Sequence, residues 1–281
     1  MKRKIHALFG LKWSPFGTDV PVESLFRNAR LASFCERVER LSESGGYALV
    51  AGDTGTGKST ALRVIKKTLE DVPDVEVGVV TRPQSSVFDF YRELGELFGV
   101  KLSPCNRWGG TKVLRDRWIE HAERTGVRPA LIVDEAQEMR SEVLNEIRLL
   151  SSHMLDSQLL LLVIFAGDAR INERLRTPDL VALSTRIRVR LALEPLEPEE
   201  LCRVIDHAVS EAGATHLLSD ELVRVLTGHA AGNLRTMMSM GAELLEAGVR
   251  KEAQKLDEKL FFELYGELEG AKTSRRRGRG R

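Results

Sequence analysis

The chain has 281 residues, 42% hydrophobic and 30% charged, with a formal net charge of +1. That composition is that of a soluble globular protein, and that length buries one good core plus a smaller second one. The longest apolar run, Leu159 to Ala166, suits a buried strand and is far too short to cross a bilayer, so no membrane partner is expected.

Residues 1–24 hold Gly, Pro and aromatics (LFGLKWSPFGTDVP) and read as an irregular lead-in. Its basic start, MKRKIHALFG, has no long apolar region after it, so no signal peptide is read. Phe26, Leu31, Phe34, Val38 and Leu41 then recur at helical spacing over 25–44, and Gly45-Gly46 ends that helix. From there strands and helices alternate: YALVAG, STALRVIKKTLE, VEVGVVT, SVFDFYRELGELFG, GTKVLRDRWIEHAERTG, PALIVD, SEVLNEIRLLSSHM, QLLLLVIFAG, ARINERLR and IRVRLALE. Strands apolar throughout and separated by helices predict an α/β fold, a parallel sheet with helices on both faces. From about Pro195 strand signals vanish and three or four helices follow, a small all-helical domain. The expected organisation is a lead-in at 1–24, an α/β nucleotide-binding domain at 25–194, a helical lid at 195–268 and a disordered basic tail at 269–281.

Three cysteines, Cys35, Cys105 and Cys202, are an odd number in no CxxC pair, which fits reduced thiols and a cytoplasmic location rather than a zinc or disulfide framework. The tail from Lys272 to Arg281 carries six positive charges and no negative ones, leaving 36 Lys+Arg against 41 Asp+Glu in the rest. With no apolar residue to bury it cannot fold alone. It reads either as a nucleic-acid-binding arm or as a solvated terminus.

The segment AGDTGTGKST carries the clearest chemistry. Gly52, Gly57, Lys58 and Ser59 satisfy GxxxxGK[ST] between a predicted strand and a predicted helix. Glycines let successive backbone N–H groups turn inward around a phosphate, and the following helix adds its positive end. Gly52, Asp53, Thr54, Gly55, Thr56, Gly57, Lys58, Ser59 and Thr60 are therefore the expected ATP cradle, with Lys58 on the β- and γ-phosphates and Ser59 on Mg²⁺. In ALIVDEAQ, Asp134 and Glu135 end an apolar strand. Neighbours in a strand point opposite ways, so Asp134 is expected in the Mg²⁺ shell and Glu135 on the attacking water.

AGDAR puts Asp168 at another strand end, beside the γ-phosphate if that strand neighbours the one ending at Asp134; otherwise it caps the next helix. Arg186, Arg188 and Arg190 share one face of the last strand, either a solvated face or, for Arg186, a finger into a neighbouring subunit's nucleotide. Arg235, near the start of a late helix, is either plain surface or a cation closing over the γ-phosphate.

The order GDTGTGKST, LIVDEAQ, AGDAR, STRIRVRL and GNLRTMM resembles an AAA+ ATPase with its helical lid, over roughly residues 25–265. In that family Arg186 matches the arginine finger, Arg235 the sensor-2 arginine and Asp168 the sensor-1 position, where Asn, Thr or Ser is usual. FGLKWSPF, LEPLEPEEL and AAGNLR resemble the branch of ExeA-type ATPases and the transposition ATPases TniB, TnsC and Mu B protein. The resemblance implies DNA-stimulated ATP hydrolysis, a homo-oligomer (ring or helical filament) on duplex DNA largely independent of sequence, and a transposase as partner. It implies backbone contacts from TRPQSSVF and NRWGGTKVLR, with Ser86, Arg107, Thr111 and Lys112 as candidates; Thr111 reads equally as a helix cap. A secretion-associated ATPase and a nucleotide-operated switch with little hydrolysis are the alternatives.

Overall fold

The computed structural model describes residues 1–102, 107–154 and 158–266, without the side chains of Lys2, Arg107 and Trp108. Residues 267–281, and with them the basic tail expected at 269–281, lie outside the described residues. In chain order the helices are α1 (Lys2–Phe9), α2 (Ala29–Ser42), α3 (Lys58–Glu70), α4 (Val87–Leu97), α5 (Arg107–Thr125), α6 (Ser141–Ser151), α7 (Arg170–Arg174), α8 (Val181–Ser184), α9 (Pro198–Glu211), α10 (Asp220–Ala230) and α11 (Leu234–Arg250). The strands are β1 (Gly46–Gly52), β2 (Val75–Val80), β3 (Arg128–Val133), β4 (Ser152–His153), β5 (Gln158–Leu159), β6 (Leu162–Gly167) and β7 (Ile187–Leu193).

Five strands form one sheet in the order β2-β3-β6-β1-β7. Every pairing in it is parallel. Central strands read as unbroken apolar runs because helices cover both faces: Tyr47, Ala48, Leu49 and Val50 of β1 are buried, as is all of β6. The edge strand β7 alternates instead, with Ile187, Val189 and Leu191 buried and Arg188 and Arg190 exposed. The predicted single strand QLLLLVIFAG is two pieces: Gln158–Leu159 pairs antiparallel with Ser152–His153, and only Leu162–Gly167 joins the main sheet. Tyr47 lies parallel to Phe165 on the neighbouring strand at 6.3 Å, and its hydroxyl meets that of Ser151.

The chain divides into two compact units, Arg27–Glu194 and the combination of Met1–Phe26 with the segment from Pro195. The second has its own core. Ile5, Phe9, Leu11 and Phe16 pack with Leu201, Ile205, Leu226, Met237, Leu244 and Phe261. The reading of 1–24 as irregular is corrected here, since Lys2–Phe9 is helical and ends on Gly10 in the left-handed region at φ 66°. Burial of Ile5 and Phe9 against α11 and its neighbours stabilises a helix that its eight residues alone would not. Residues 258–266 are also helical, and Leu218 and Leu256 form an isolated parallel bridge.

Candidate nucleotide site

The parallel register brings the carboxyl ends of β3, β6 and β1 side by side. Val133 pairs with Phe165, and Ala51 with Gly167. The condition set for Asp168 is met: its strand directly neighbours the one that ends before Asp134. Residues 53–57, between β1 and α3, form a tight loop. Gly55 and Gly57 stand at φ 90° and 98°, where an L side chain is strained. Gly52 leaves β1 with no room for a Cβ, which would stand 2.6 Å from the Leu193 carbonyl oxygen. Thr56 Oγ1 donates to the Asp53 carbonyl at 2.8 Å and closes the turn.

Lys58, the first residue of α3, is 8% exposed. Its ammonium donates to the carbonyls of Gly52 (2.7 Å) and Asp53 (3.2 Å), so it curls back over the loop. Its charge also reaches both strand-end acids, favouring the ionised forms of Asp134 and Asp168. The helix begins on Gly57, which has no side chain to cap it, leaving the first-turn N–H groups suited to an anion. Ser59 is exposed at the second position of α3, and Thr60 is half-buried behind it. Asp53 and Thr54 are exposed.

Asp134 and Glu135 lie one and two residues past β3, so the alternation of a pleated strand does not separate them. The chain instead makes a left-handed turn at Glu135, φ 51°. A non-glycine there costs about 1–2 kcal/mol. The turn is held by the Glu138 N–H on the Glu135 carbonyl (2.8 Å) and by the Glu135 N–H on Asp134 Oδ1 (2.8 Å). Burial pushes the Asp134 carboxyl above its ordinary value, against the lowering by that hydrogen bond and by Lys58. Glu135 is exposed.

Asp168 is claimed by Arg170. The guanidinium Nε lies 2.9 Å from Oδ2 and 3.1 Å from Oδ1, and the Arg170 N–H donates to Oδ1 at 2.9 Å. These bonds hold its carboxyl below the ordinary range. The carboxylate does not cap the next helix, since α7 starts after Ala169 with no side-chain cap bond, and Arg170 also pairs with Glu138 at 2.7 Å. Sequence reasoning passed over Gln137, which is 6% exposed. Its amide donates to Glu135 Oε2 and accepts from the Asp168 N–H at 3.2 Å. The only signal for it was its position two residues after Glu135.

The remaining candidates are spread out. Arg186 is half-buried immediately before β7. Arg235 is exposed as the second residue of α11, whose start is capped by Asn233 accepting from the Thr236 N–H at 3.0 Å, and it belongs to the other unit. Ser86 caps α4, accepting from the Asp89 N–H and donating to Asp89 Oδ2 at 2.7 Å. α5 starts at Arg107, three residues before the predicted Gly110, so Thr111 is inside the helix and is not its cap. The Thr111 hydroxyl meets the Tyr91 hydroxyl at 2.6 Å, which also donates to the buried Glu146 at 2.8 Å. Lys112 is exposed, and the Arg107 side chain lies outside the described residues.

One hydroxyl and one carboxylate, Ser59 and Asp134, are a donor set for a hard cation that arrives with phosphate oxygens. Among the described residues no cluster of three or more His, Cys, Asp or Glu offers a metal site of its own. No helix of the described residues is long and apolar enough to cross a membrane.

A glycine loop leading into a helix, beside two acid-tipped parallel strands and followed by C-terminal helices, defines the P-loop AAA+ fold. Residues 40–175 match the family model described as AAA domain. General secretion pathway protein A of Aeromonas hydrophila is 29% identical over 210 residues, 73% of this chain but 37% of that protein. The ATP-dependent target DNA activator B proteins of Escherichia phages D108 and Mu are 24% and 26% identical over 249 residues, 82% of this chain and 72% of theirs. Among solved structures, Cdc6p of Pyrobaculum aerophilum superposes with a TM-score of 0.67 at 14% identity, over 86% of this chain and 67% of that one. The Aeropyrum pernix Orc1 protein in complex with DNA gives 0.67 at 17% identity, over 90% and 68%. At such identities the structural likeness speaks for the fold alone.

Proposed function

We propose that this chain is an ATPase that binds duplex DNA, oligomerises on it with ATP, and regulates transposition by selecting a target site and recruiting a transposase. The observation that carries the reading is the breadth of the match to the phage target DNA activators, 82% of this chain and 72% of each of theirs. The match to the secretion protein leaves most of that protein uncovered. Its higher identity, 29%, favours a secretion-associated ATPase as the second reading.

In the proposed reaction the loop N–H groups from Gly52 to Thr60 and the Lys58 ammonium hold the triphosphate. Ser59 and Asp134 would hold Mg²⁺, which neutralises phosphate charge when bound. Glu135 orients, or takes a proton from, the water that attacks the γ-phosphorus. Arg186, ahead of the edge strand, is proposed to reach the nucleotide of the neighbouring copy, and Arg235 to respond to the γ-phosphate. Asp168 acts beside that phosphate only through what Arg170 leaves of its carboxylate. DNA contacts are proposed at Ser86, Arg107, Thr111 and Lys112, with the two cations giving most of the affinity because the hydroxyls of Ser86 and Thr111 already have partners. Such contacts carry no base information, so binding is expected to be largely independent of sequence.

Electron microscopy of protein, duplex DNA and a slowly hydrolysed ATP analogue tests the reading. Rings or filaments on the DNA, absent without nucleotide, are expected. Bare DNA in every field, with nucleotide bound to the protein, would overturn it in favour of the secretion reading.

A further inference from the structure

Gln137 has no part in the reaction as drawn so far, yet its side chain touches two of the strand-end residues. It is 6% exposed, and its amide is used at both ends: Nε2 donates to Glu135 Oε2, and Oε1 accepts from the Asp168 N–H. The amide has only one orientation open to it, because a backbone N–H can only donate and an ionised carboxylate can only accept. Its own backbone is anchored as well, since Arg174 donates to the Gln137 carbonyl and to Ser141 Oγ. Space around it is tight. A Cβ on Gly167, at the end of β6, would stand 2.7 Å from Gln137 Oε1 and 3.2 Å from Ile171 Cβ.

We propose that Gln137 is a positioning residue: its amide bridge from the Asp168 N–H to the Glu135 carboxylate fixes that carboxylate to the end of β6. The inference rests on the ATPase reading. Glu135 needs such a tether because it is exposed and sits in a strained left-handed turn beyond the last residue of β3, with no strand to orient its side chain. β6 is the right anchor, since it lies between β3 and β1 and so between the acid and the phosphate loop. Few other side chains span both partners. Leucine offers neither bond, asparagine is one methylene short, and glutamate keeps the acceptor for Asp168 while losing the donor to Glu135. Gly167 follows from the same contact, because any side chain there would push the amide off its partners. A displacement of about 1 Å in a reacting group can cost about a hundredfold in rate.

The test is steady-state ATP turnover of the full chain with duplex DNA, for the unaltered protein, Gln137→Leu, Gln137→Glu, Gly167→Ala, Glu135→Gln and the double variant Glu135→Gln/Gln137→Leu. Turnover number is expected to fall about a hundredfold in Gln137→Leu and Gln137→Glu and less in Gly167→Ala, with KM for ATP within about twofold. In the Glu135→Gln background, Gln137→Leu is expected to cost nothing further, because it acts through the carboxylate already lost. A raised KM with turnover number kept, or a loss that adds in full to that of Glu135→Gln, would overturn the inference. A second readout needs no turnover. The side-chain ¹H–¹⁵N resonances of Gln137 are expected to move in Glu135→Ala, and unmoved resonances would equally overturn it. Absence of turnover in the unaltered protein defeats the ATPase reading, and the resonance shift then decides the contact by itself.

Discussion

The sheet unit is one continuous stretch, Arg27–Glu194, whereas the helical unit joins Met1–Phe26 to a segment that begins at Pro195. The sheet unit concentrates polar groups at one end of its strands. Lys58, Asp134, Glu135, Gln137 and Asp168 all follow the carboxyl ends of β1, β3 and β6. The core of the helical unit is built on an apolar cluster, with Ser24, Ser219 and Thr227 the polar side chains buried among its described residues, and its first helix comes from the opposite end of the chain from α9, α10 and α11. Apart from the role proposed for Arg235, chemistry is thus expected to fail by single substitutions in the sheet unit, and cohesion by single substitutions in the helical one.

The sharpest break of that contrast is Lys58→Ala. It is expected to lower nucleotide affinity by at least about a hundredfold, since one preorganised charged donor is worth roughly that much. Equilibrium titration with a fluorescent nucleotide measures it, and unchanged affinity would remove the loop from the account. Phe9→Ala comes next. The ring is 9% exposed within the helical core, so its loss is expected to cost about 3 kcal/mol in denaturant unfolding. Nucleotide affinity should stay as it was. A parallel loss of nucleotide binding would mean the two units do not divide their labour this way. Smaller again is Lys112→Ala, expected to weaken duplex binding and to lower the salt slope by about 1, alike on any sequence. An unchanged slope would take Lys112 off the DNA.

The smallest effect is one of pH. Arg170 holds the Asp168 carboxyl below its ordinary value, so folding favours the ionised form. That contribution is present above the unfolded carboxylate value of about 3.9 and is lost as the pH falls through the lower folded value. Thermal melts from about pH 6 down to about pH 3 should therefore fall more steeply for the unaltered protein than for Arg170→Ala, and parallel curves would contradict the pairing.

Much of the sheet unit was legible because its signals are local. An apolar run, then Gly, Thr and Lys, then an amphipathic stretch can be read without knowing what lies across the fold. Other features depended on distant partners. α1 has only a few apolar residues, and what makes it helical is the core supplied from beyond Pro195. α5 begins at Arg107 although the expected helix GTKVLRDRWIEHAERTG starts at Gly110; Gly110 lies against the Tyr91 ring, where a Cβ would be 3.5 Å from Cδ1. The helix runs through both glycines despite a penalty of about 1 kcal/mol for each. Asp134 and Glu135 were found by their neighbours in sequence, but the left-handed turn at Glu135 was not, because strand alternation was assumed to run two residues too far. Gln137 was invisible for a similar reason, since its partners are set by the pairing of β3 with β6.

Phosphate release by the unaltered protein and by Glu135→Gln, each with and without duplex DNA, tests the central claim most directly. The account predicts release that DNA accelerates, and a fall of at least about a hundredfold in Glu135→Gln while ATP and DNA are still bound. No release from the unaltered protein on DNA would contradict it and leave a nucleotide-operated switch.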